Sequence, residues 1–332
     1  MLYNRFVCGG NMIQSNVSYK EYLNKLKKNE LINMINDYNN LCDIYKFSKI
    51  DNVTSKKNIL VNLVNDVKDE YVKAIIMSLD INDYNILKKL IQKNNKNIIS
   101  DDNTLVNLLI DKHVLWKKDV LEVPNDIDLK KILNDKTIKK HISYWTNVYK
   151  LVDGIVIAYG VVDINFFNKL IDGAMEKDNI FKMLNVYYKR NYLIDSSKVI
   201  CTKLTNKKRI DKYFKDKKYK EFTIDEYIEL GNSKYHHNIK AYKKFIKILK
   251  NYYVFKRKDI EFVDMNIVIP YLYNKINEEQ NAKNSLEENV IELFEFKNDK
   301  LKKKMIKEIE KIKLEFPLWE LRGYSIKERD SI

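Results

Sequence analysis

The chain has 332 residues, 45% of them hydrophobic, and a formal charge of +15 from 61 Lys and Arg against 46 Asp and Glu. That length supports two or three domains with their own cores. No apolar run approaches the roughly 18 residues of a membrane span, and no apolar h-region opens the chain. The longest such run, "GIVIAYGVV" (154–162), is interrupted by Gly160. Cys8, Cys42 and Cys201 are scattered, so neither a disulfide framework nor a paired-thiolate metal site is expected, and the reading is of a cytoplasmic protein. Nearly all the basic charge is Lys in a chain also rich in Asn and Ile, the composition AT-rich codons produce, so the charge is discounted. What remains of it points to polyanion partners.

Residues 1–17 read as a flexible N-terminal extension. "CGGNM" (8–12) can be encoded as a purine-rich ribosome-binding site ahead of an ATG, which makes Met12 a candidate start; a native flexible terminus is the alternative. "SYKEYLNKLKKNELINMINDYNN" (18–40) places Tyr22, Leu23, Leu26, Leu31, Met34, Ile35 and Tyr38 at helical spacing, with Ser18 and Asn29 as caps. A turn-rich interval over Ile44–Thr54 follows. "SKKNILVNLVNDV" (55–67) is then a helix capped by Ser55 that buries Ile59, Leu60, Leu63 and Val64.

The rhythm of "LKKNELINMINDYN" followed by "SKKNILVNLV" resembles the N-terminal module of the Rho termination factor, a Rho-N-like and distantly SAP-like helix, extended loop, helix unit. The resemblance implies that Lys56 and Lys57 at the start of the second helix, with Lys46 and Lys49 in the loop, face nucleic acid. The competing reading makes the same lysines a solvated face.

The middle of the chain contains a diverged repeat. "DINDYNILKKLIQKNN" (80–95) and "DINFFNKLIDGAMEKD" (163–178) both open Asp-Ile-Asn, with Asp or Asn available as a cap. Each is followed by a second helix, "DNTLVNLLIDK" (102–112) or "DNIFKMLNVYYKR" (178–190). Each then enters two β-prone runs around a polar turn, 113–123 and 192–204. Helix, helix, hairpin is the order of a winged-helix unit, which can meet DNA through a helix and the wing. The first candidate recognition helix has one lysine and two acids, which favours protein contact. The second carries Lys182, Lys189 and Arg190, with Lys198 and Lys203 on its hairpin, and either reading stands.

From 205 to 258 lysines interleave with Tyr and Phe, including Lys207, Lys208 and Arg209 and, in "KAYKKFIKILKNYYVFKRK", Lys243 and Lys244. Such composition suits phosphate neutralisation and base stacking. At helical spacing Phe245, Ile246, Ile248 and Leu249 are core, and Lys243, Lys244, Lys247 and Lys250 form the wet face. The last long helix, "NDKLKKKMIKEIEKIKLEF" (298–316), aligns Leu301, Met305, Ile309 and Ile312.

The tail "FPLWELRGYS" (316–325) gathers Pro317, Trp319 and Gly323 in a chain with three prolines, three tryptophans and seven glycines. Pro317 ends the helix, Leu318, Trp319 and Leu321 fold back as an apolar hook, and Gly323 allows positive φ. Ser325 and Glu328 make a capping box. The segment, with Pro317, Leu318, Trp319, Leu321, Gly323, Ser325 and Glu328 at its fixed positions, resembles the "PLW-x-L-x-G-x-S-x-x-E" tail of helical proteins of low-GC Gram-positive bacteria. Those proteins pair a Rho-N-like module with a SEC-C metal-binding motif. "GIVIAYGVVDINFFNKLI" resembles a further region of the same family. The cysteine cluster that follows the tail there is absent from this sequence, so no zinc is carried over. The resemblance implies a nucleic-acid- or protein-associated accessory role.

"DINDYNILKKLI" fails as a calcium loop because Asn85 and Ile91 stand where Gly and Glu are needed. His113 and His141 are isolated, and His236–His237 are adjacent, a poor chelating spacing on a helix face with no Cys or HxxxH partner nearby. No phosphate-binding, dinucleotide or hydrolase motif occurs. The sequence therefore predicts no catalytic residues, no metal and no cofactor. It predicts a mainly α fold: a Rho-N-like module over 18–67, winged-helix-like units over 68–135 and 136–222, and a helical part over 223–332. The expected function is accessory or regulatory binding of RNA or DNA through backbone phosphates, without a membrane; the alternative is an adaptor whose winged-helix-like units contact protein partners.

Overall fold

The computed structural model describes residues 12–51, 56–92, 103–117, 121–172, 177–186, 192–194, 197–202, 204, 218–252, 257–269, 272–273 and 298–331. Helices dominate, and the strands among the described residues form two three-stranded sheets. No described helix is long and apolar enough to cross a membrane. The chain gathers into two compact units, Met1–Val148 with Asp172–Lys189, and Tyr149–Ile171 with Arg190–Ile332.

In the first unit, β1 (Met12–Gln14) lies parallel to β3 (Leu121–Val123), and β2 (Trp116–Lys117) is antiparallel to β3 on its other side. Residues 12–17 are therefore not a flexible extension. The buried Glu122 carboxylate requires donors, and it receives the Ser15 hydroxyl at 2.8 Å and the Trp116 indole N–H at 2.7 Å. The Ser15 N–H adds a bond to the Val123 carbonyl at 2.7 Å.

The helix expected over 18–40 is two helices, α1 (Tyr19–Leu23) and α2 (Lys28–Tyr45). Ser18 caps α1, as read, and does so in a reciprocal box with Glu21. The second cap is at Lys27, whose N–H donates to the Glu30 carboxylate at 2.6 Å, so Asn29 lies inside the helix. Helix α2 buries Leu41 and Cys42, continues through Ile44 and Tyr45 into the interval expected to be turn-rich, and ends where Lys46 adopts φ 60°. Against it lies α3 (Lys57–Asp66), which buries Leu60, Val61 and Val64. Ile59 points outward at 39% exposure, because the buried stripe is turned one residue from the expected one. Ser55 lies outside the described residues.

Helices α4 (Lys68–Met77), α5 (Ile81–Gln92), α6 (Asn103–Asp111) and α7 (Leu129–Asn134) complete this run. Leu90, Val106 and Leu121 join α5, α6 and β3 in one apolar cluster. After α8 (Lys136–Tyr159) and α9 (Ile164–Asp172), the chain returns to the first unit as α10 (Lys177–Val186), packed against α2.

In the second unit, β4 (Val161–Asp163), β5 (Tyr192–Ile194) and β6 (Lys198–Cys201) form an antiparallel sheet in the order β4-β6-β5. Both expected hairpins form. Each also accepts a third strand that the alternation did not mark, because strands of three residues are too short to carry a period. The Asp-Ile-Asn repeats share a device: Asp80 accepts the N–H groups of Asn82 and Asp83 at 2.8 and 2.9 Å, and Asp163 those of Asn165 and Phe166 at 2.8 and 3.3 Å.

Helix α11 (Ile224–Gly231) is capped by Thr223 with Glu226. It meets α8 where Gly154 faces the Tyr227 carbonyl and Gly231 faces the Lys150 carbonyl, so two missing side chains let the backbones approach. The remaining helices are α12 (Lys240–Tyr252), α13 (Arg257–Val263) and α14 (Asp299–Glu315), with α12 packed along α14. Leu301, Met305, Ile309 and Ile312 form the buried stripe of α14, as expected.

The tail is a buried clasp. Trp319 is 3% exposed, and its indole N–H donates to the Ile157 carbonyl at 2.7 Å, in the last turn of α8. Carbonyls there have no intrahelical partner. Gly160 ends α8 at φ +68°, Pro317 and Leu321 are buried, and Gly323 has φ +87°. Of the expected capping box the return half forms, the Glu328 carboxylate accepting the Ser325 N–H at 2.9 Å and its hydroxyl at 2.8 Å, while the Glu328 N–H goes to the Ser325 carbonyl at 3.1 Å.

Candidate functional site

The predicted contact residues fall into three groups. In the first unit Lys49 and Lys182 both reach Asp43, each at 2.6 Å, and these partners, Lys182 foremost, hold the Asp43 carboxyl below its usual range. Two of the expected cations are thus engaged with one carboxylate. Lys57 donates to the Asn24 carbonyl at 2.7 Å, while Lys46 and Lys56 are exposed at the end of α2 and the start of α3. Lys189, Arg190, Lys207, Lys208 and Arg209 lie outside the described residues, as does Lys203.

The third group is on α12. Lys240, Lys243, Lys244, Lys247 and Lys250 are exposed, and Tyr242, Phe245, Ile248 and Leu249 are buried. The helix has no acidic residue, and none of its lysines makes an ion pair among the described residues. Its packing partner α14 adds exposed Lys300, Lys303, Lys304 and Lys307. The period that buries the aromatics puts every lysine of α12 on the other side, so the charge is concentrated by amphipathic folding alone.

Beneath that face lies a cluster that sequence reasoning missed. A one-turn 3-10 helix, Tyr235–Asn238, carries His236 and His237. Its three residues per turn splay neighbouring side chains by about 120°, yet both imidazoles reach Asp264. His236 Nε2 lies 3.3 Å from Oδ1 and His237 Nε2 lies 2.9 Å from Oδ2. Asp264 opens a π turn, Asp264–Val268, in which the Ile269 N–H returns to the Asp264 carbonyl. The Tyr242 hydroxyl, from the buried side of α12, donates to Asp264 Oδ1 at 2.5 Å. His236 Nδ1 lies 3.4 Å from the Tyr273 hydroxyl, and the His237 ring stacks on Tyr242 with planes 9° apart.

The electrostatics follow from this packing. Burial opposes ionisation of Asp264, but hydrogen bonds from His236, His237 and Tyr242 outweigh it and hold the carboxyl well below the usual carboxylate range. Burial pushes the fully buried His236 imidazole below its ordinary range, against the pull of Asp264. Burial and the Asp264 hydrogen bond together push the Tyr242 phenol up. The two histidines sit on a 3-10 turn rather than on a helix face, and the partner they share is a carboxylate from 28 and 27 residues downstream. Nothing local in the sequence marks that meeting.

A cleft of about 330 Å³ in the first unit is lined by Ile44, Lys140, His141, Tyr144, Trp145, Asn179 and Ile180. It brings together one imidazole, one ammonium and one phenol. No protein-family model matches the sequence, and no curated protein or solved structure matches it either.

Proposed function

We propose that the protein is a non-catalytic, nucleic-acid-associated accessory protein that holds RNA or DNA mainly by backbone phosphates, through the lysine face of α12 and α14. The observation that carries this reading is α12 itself: five exposed lysines, no acid, and no ion pair among the described residues. Cations left without carboxylates are available for phosphates, and release of condensed counterions then drives association. The chain order helix, strand, helix, helix, hairpin from α8 to β6 is that of a winged helix, but α10 packs against α2 in the first unit, so that reading rests on chain order alone. The Rho-N-like reading of 18–67 adds exposed Lys46 and Lys56. Only six arginines occur in the chain, and Arg is the usual reader of guanine edges, so the binding is sequence-tolerant.

The test is fluorescence anisotropy with single- and double-stranded oligonucleotides at two salt concentrations. Binding at low salt that weakens steeply as salt rises supports the proposal; no binding at low salt refutes it. The adaptor reading has one observation in its favour: Leu193, Phe262 and Met265 are apolar side chains 54%, 56% and 70% exposed.

A further inference from the structure

We infer that His236, His237 and Asp264 form a binding site for a divalent transition-metal ion of the zinc type. Their three ligand atoms, two imidazole nitrogens and a carboxylate oxygen, all lie within 4.8 Å of one another. An ion with bonds of about 2.0–2.1 Å in tetrahedral array sets its ligand atoms roughly 3.3 Å apart. His236 Nε2 lies 3.3 Å from Asp264 Oδ1 and His237 Nε2 lies 2.9 Å from Oδ2, separations near that edge although each imidazole meets its own carboxylate oxygen. Small side-chain rotations therefore convert the hydrogen-bonded cluster into a coordination shell.

The donor set selects the class of ion. Two imidazoles with one carboxylate and no thiolate suit zinc, iron(II) or nickel better than copper(I) or the oxygen-seeking calcium and magnesium. The surroundings match what ligating residues need. A ligating imidazole is usually oriented through its second nitrogen, and His236 Nδ1 faces the Tyr273 hydroxyl at 3.4 Å. A ligating carboxylate is usually held by a further donor, here the Tyr242 hydroxyl. His236 is fully buried, whereas the His237 side chain is 46% exposed. Three protein ligands with one side toward solvent leave a fourth position for water, the pattern of an open site.

The competing arrangement is a hydrogen-bond network alone, in which each imidazole donates from Nε2 to Asp264 and no ion is held. Metal titration separates the two. Full-length protein stripped with a chelator is titrated with Co²⁺ and followed by visible absorption, then back-titrated with Zn²⁺. The expected result is one equivalent of Co²⁺ with the visible bands of nitrogen and oxygen ligands, no intense thiolate band, and displacement by Zn²⁺. Tyr242→Phe, which removes a supporting donor, weakens the ion by about 10–100-fold, and His237→Ala weakens it further. His237 is half-exposed, and a cooperative metal-free melting transition verifies that the variant folds. Absence of Co²⁺ binding by the native protein overturns the inference. Binding of unchanged affinity in His237→Ala also overturns it.

Discussion

The Gly160 Cα lies against the indole of Trp319, 159 residues further along the chain: a Cβ built at Gly160 would stand 2.5 Å from Trp319 Cδ2. The contact is reciprocal in kind, because a Cβ at Gly323 would stand 2.6 Å from Tyr159 Cε1. At each end of the clasp a glycine at positive φ accommodates an aromatic ring from the other end. The unusual residues of the tail are thus explained by the end of α8. Trp319→Ala is expected to cost about 3–5 kcal/mol in thermal or denaturant unfolding, as large buried truncations do; a cost near zero would contradict the clasp.

Gly160→Ala meets both the left-handed backbone, about 1–2 kcal/mol, and the ring, a further 1–3 kcal/mol by overpacking. In a Trp319→Ala background only the backbone part remains. A double-mutant cycle is therefore expected to show strong non-additivity, and additive costs would mean the ring does not rest on Gly160.

Gly154→Ala and Gly231→Ala test the α8–α11 approach. Within an isolated helix Ala gains about 1 kcal/mol over Gly. Here the methyl would overlap a backbone carbonyl of the facing helix, and overpacking of about 1–3 kcal/mol prevails. Both variants are expected to melt lower than the native protein; a rise in melting temperature would show that the helices part easily.

Asp80→Ala and Asp163→Ala each remove a side chain that accepts two backbone N–H groups at the start of a helix. A loss of about 1 kcal/mol is expected for each. Replacement by Asn or Ser retains most of the stability, which chemical denaturation of the two series measures.

Glu328 supplies the pH dependence of the tail. Burial opposes its ionisation, but Lys220 at 2.7 Å and the Ser325 N–H and hydroxyl outweigh it and lower the carboxyl below its usual range. A group with a depressed folded value stabilises fully above its unfolded value, near 4.3, and the contribution disappears as pH falls through the folded value. The stability difference between native protein and Glu328→Gln is accordingly expected to be constant at neutral pH and to shrink below about pH 4. Melting temperatures across that range read it directly; a difference that grows on acidification has the wrong sign.

For the lysine face, neutralising about five phosphates gives a log–log salt slope of roughly −3.5 to −4.5. Replacing Lys243, Lys244 and Lys247 by Glu is expected to flatten the slope by about one unit per lysine on duplex DNA. An unchanged slope would move the contact to Lys46 and Lys56 in the first unit.

The sequence by itself determined what is local and periodic. The 3.6-residue period fixed α12 and α14 with their buried and wet faces, because amphipathicity is written into consecutive residues. Turn and cap chemistry fixed the cap at Ser18, the pairing of Ser325 with Glu328, and the breaks at Pro317 and Gly323, since those bonds span three residues or fewer. It could not place the split after α1, because Asn24–Lys27 keep a helical composition and Lys27 is not a residue type that marks a cap. It could not foresee that Lys49 and Lys182, 133 positions apart, share Asp43. Only the tertiary structure set Gly160 against Trp319 and carried Asp264 to His236 and His237. Those meetings depend on loop closure between distant elements, and no spacing along the chain encodes them.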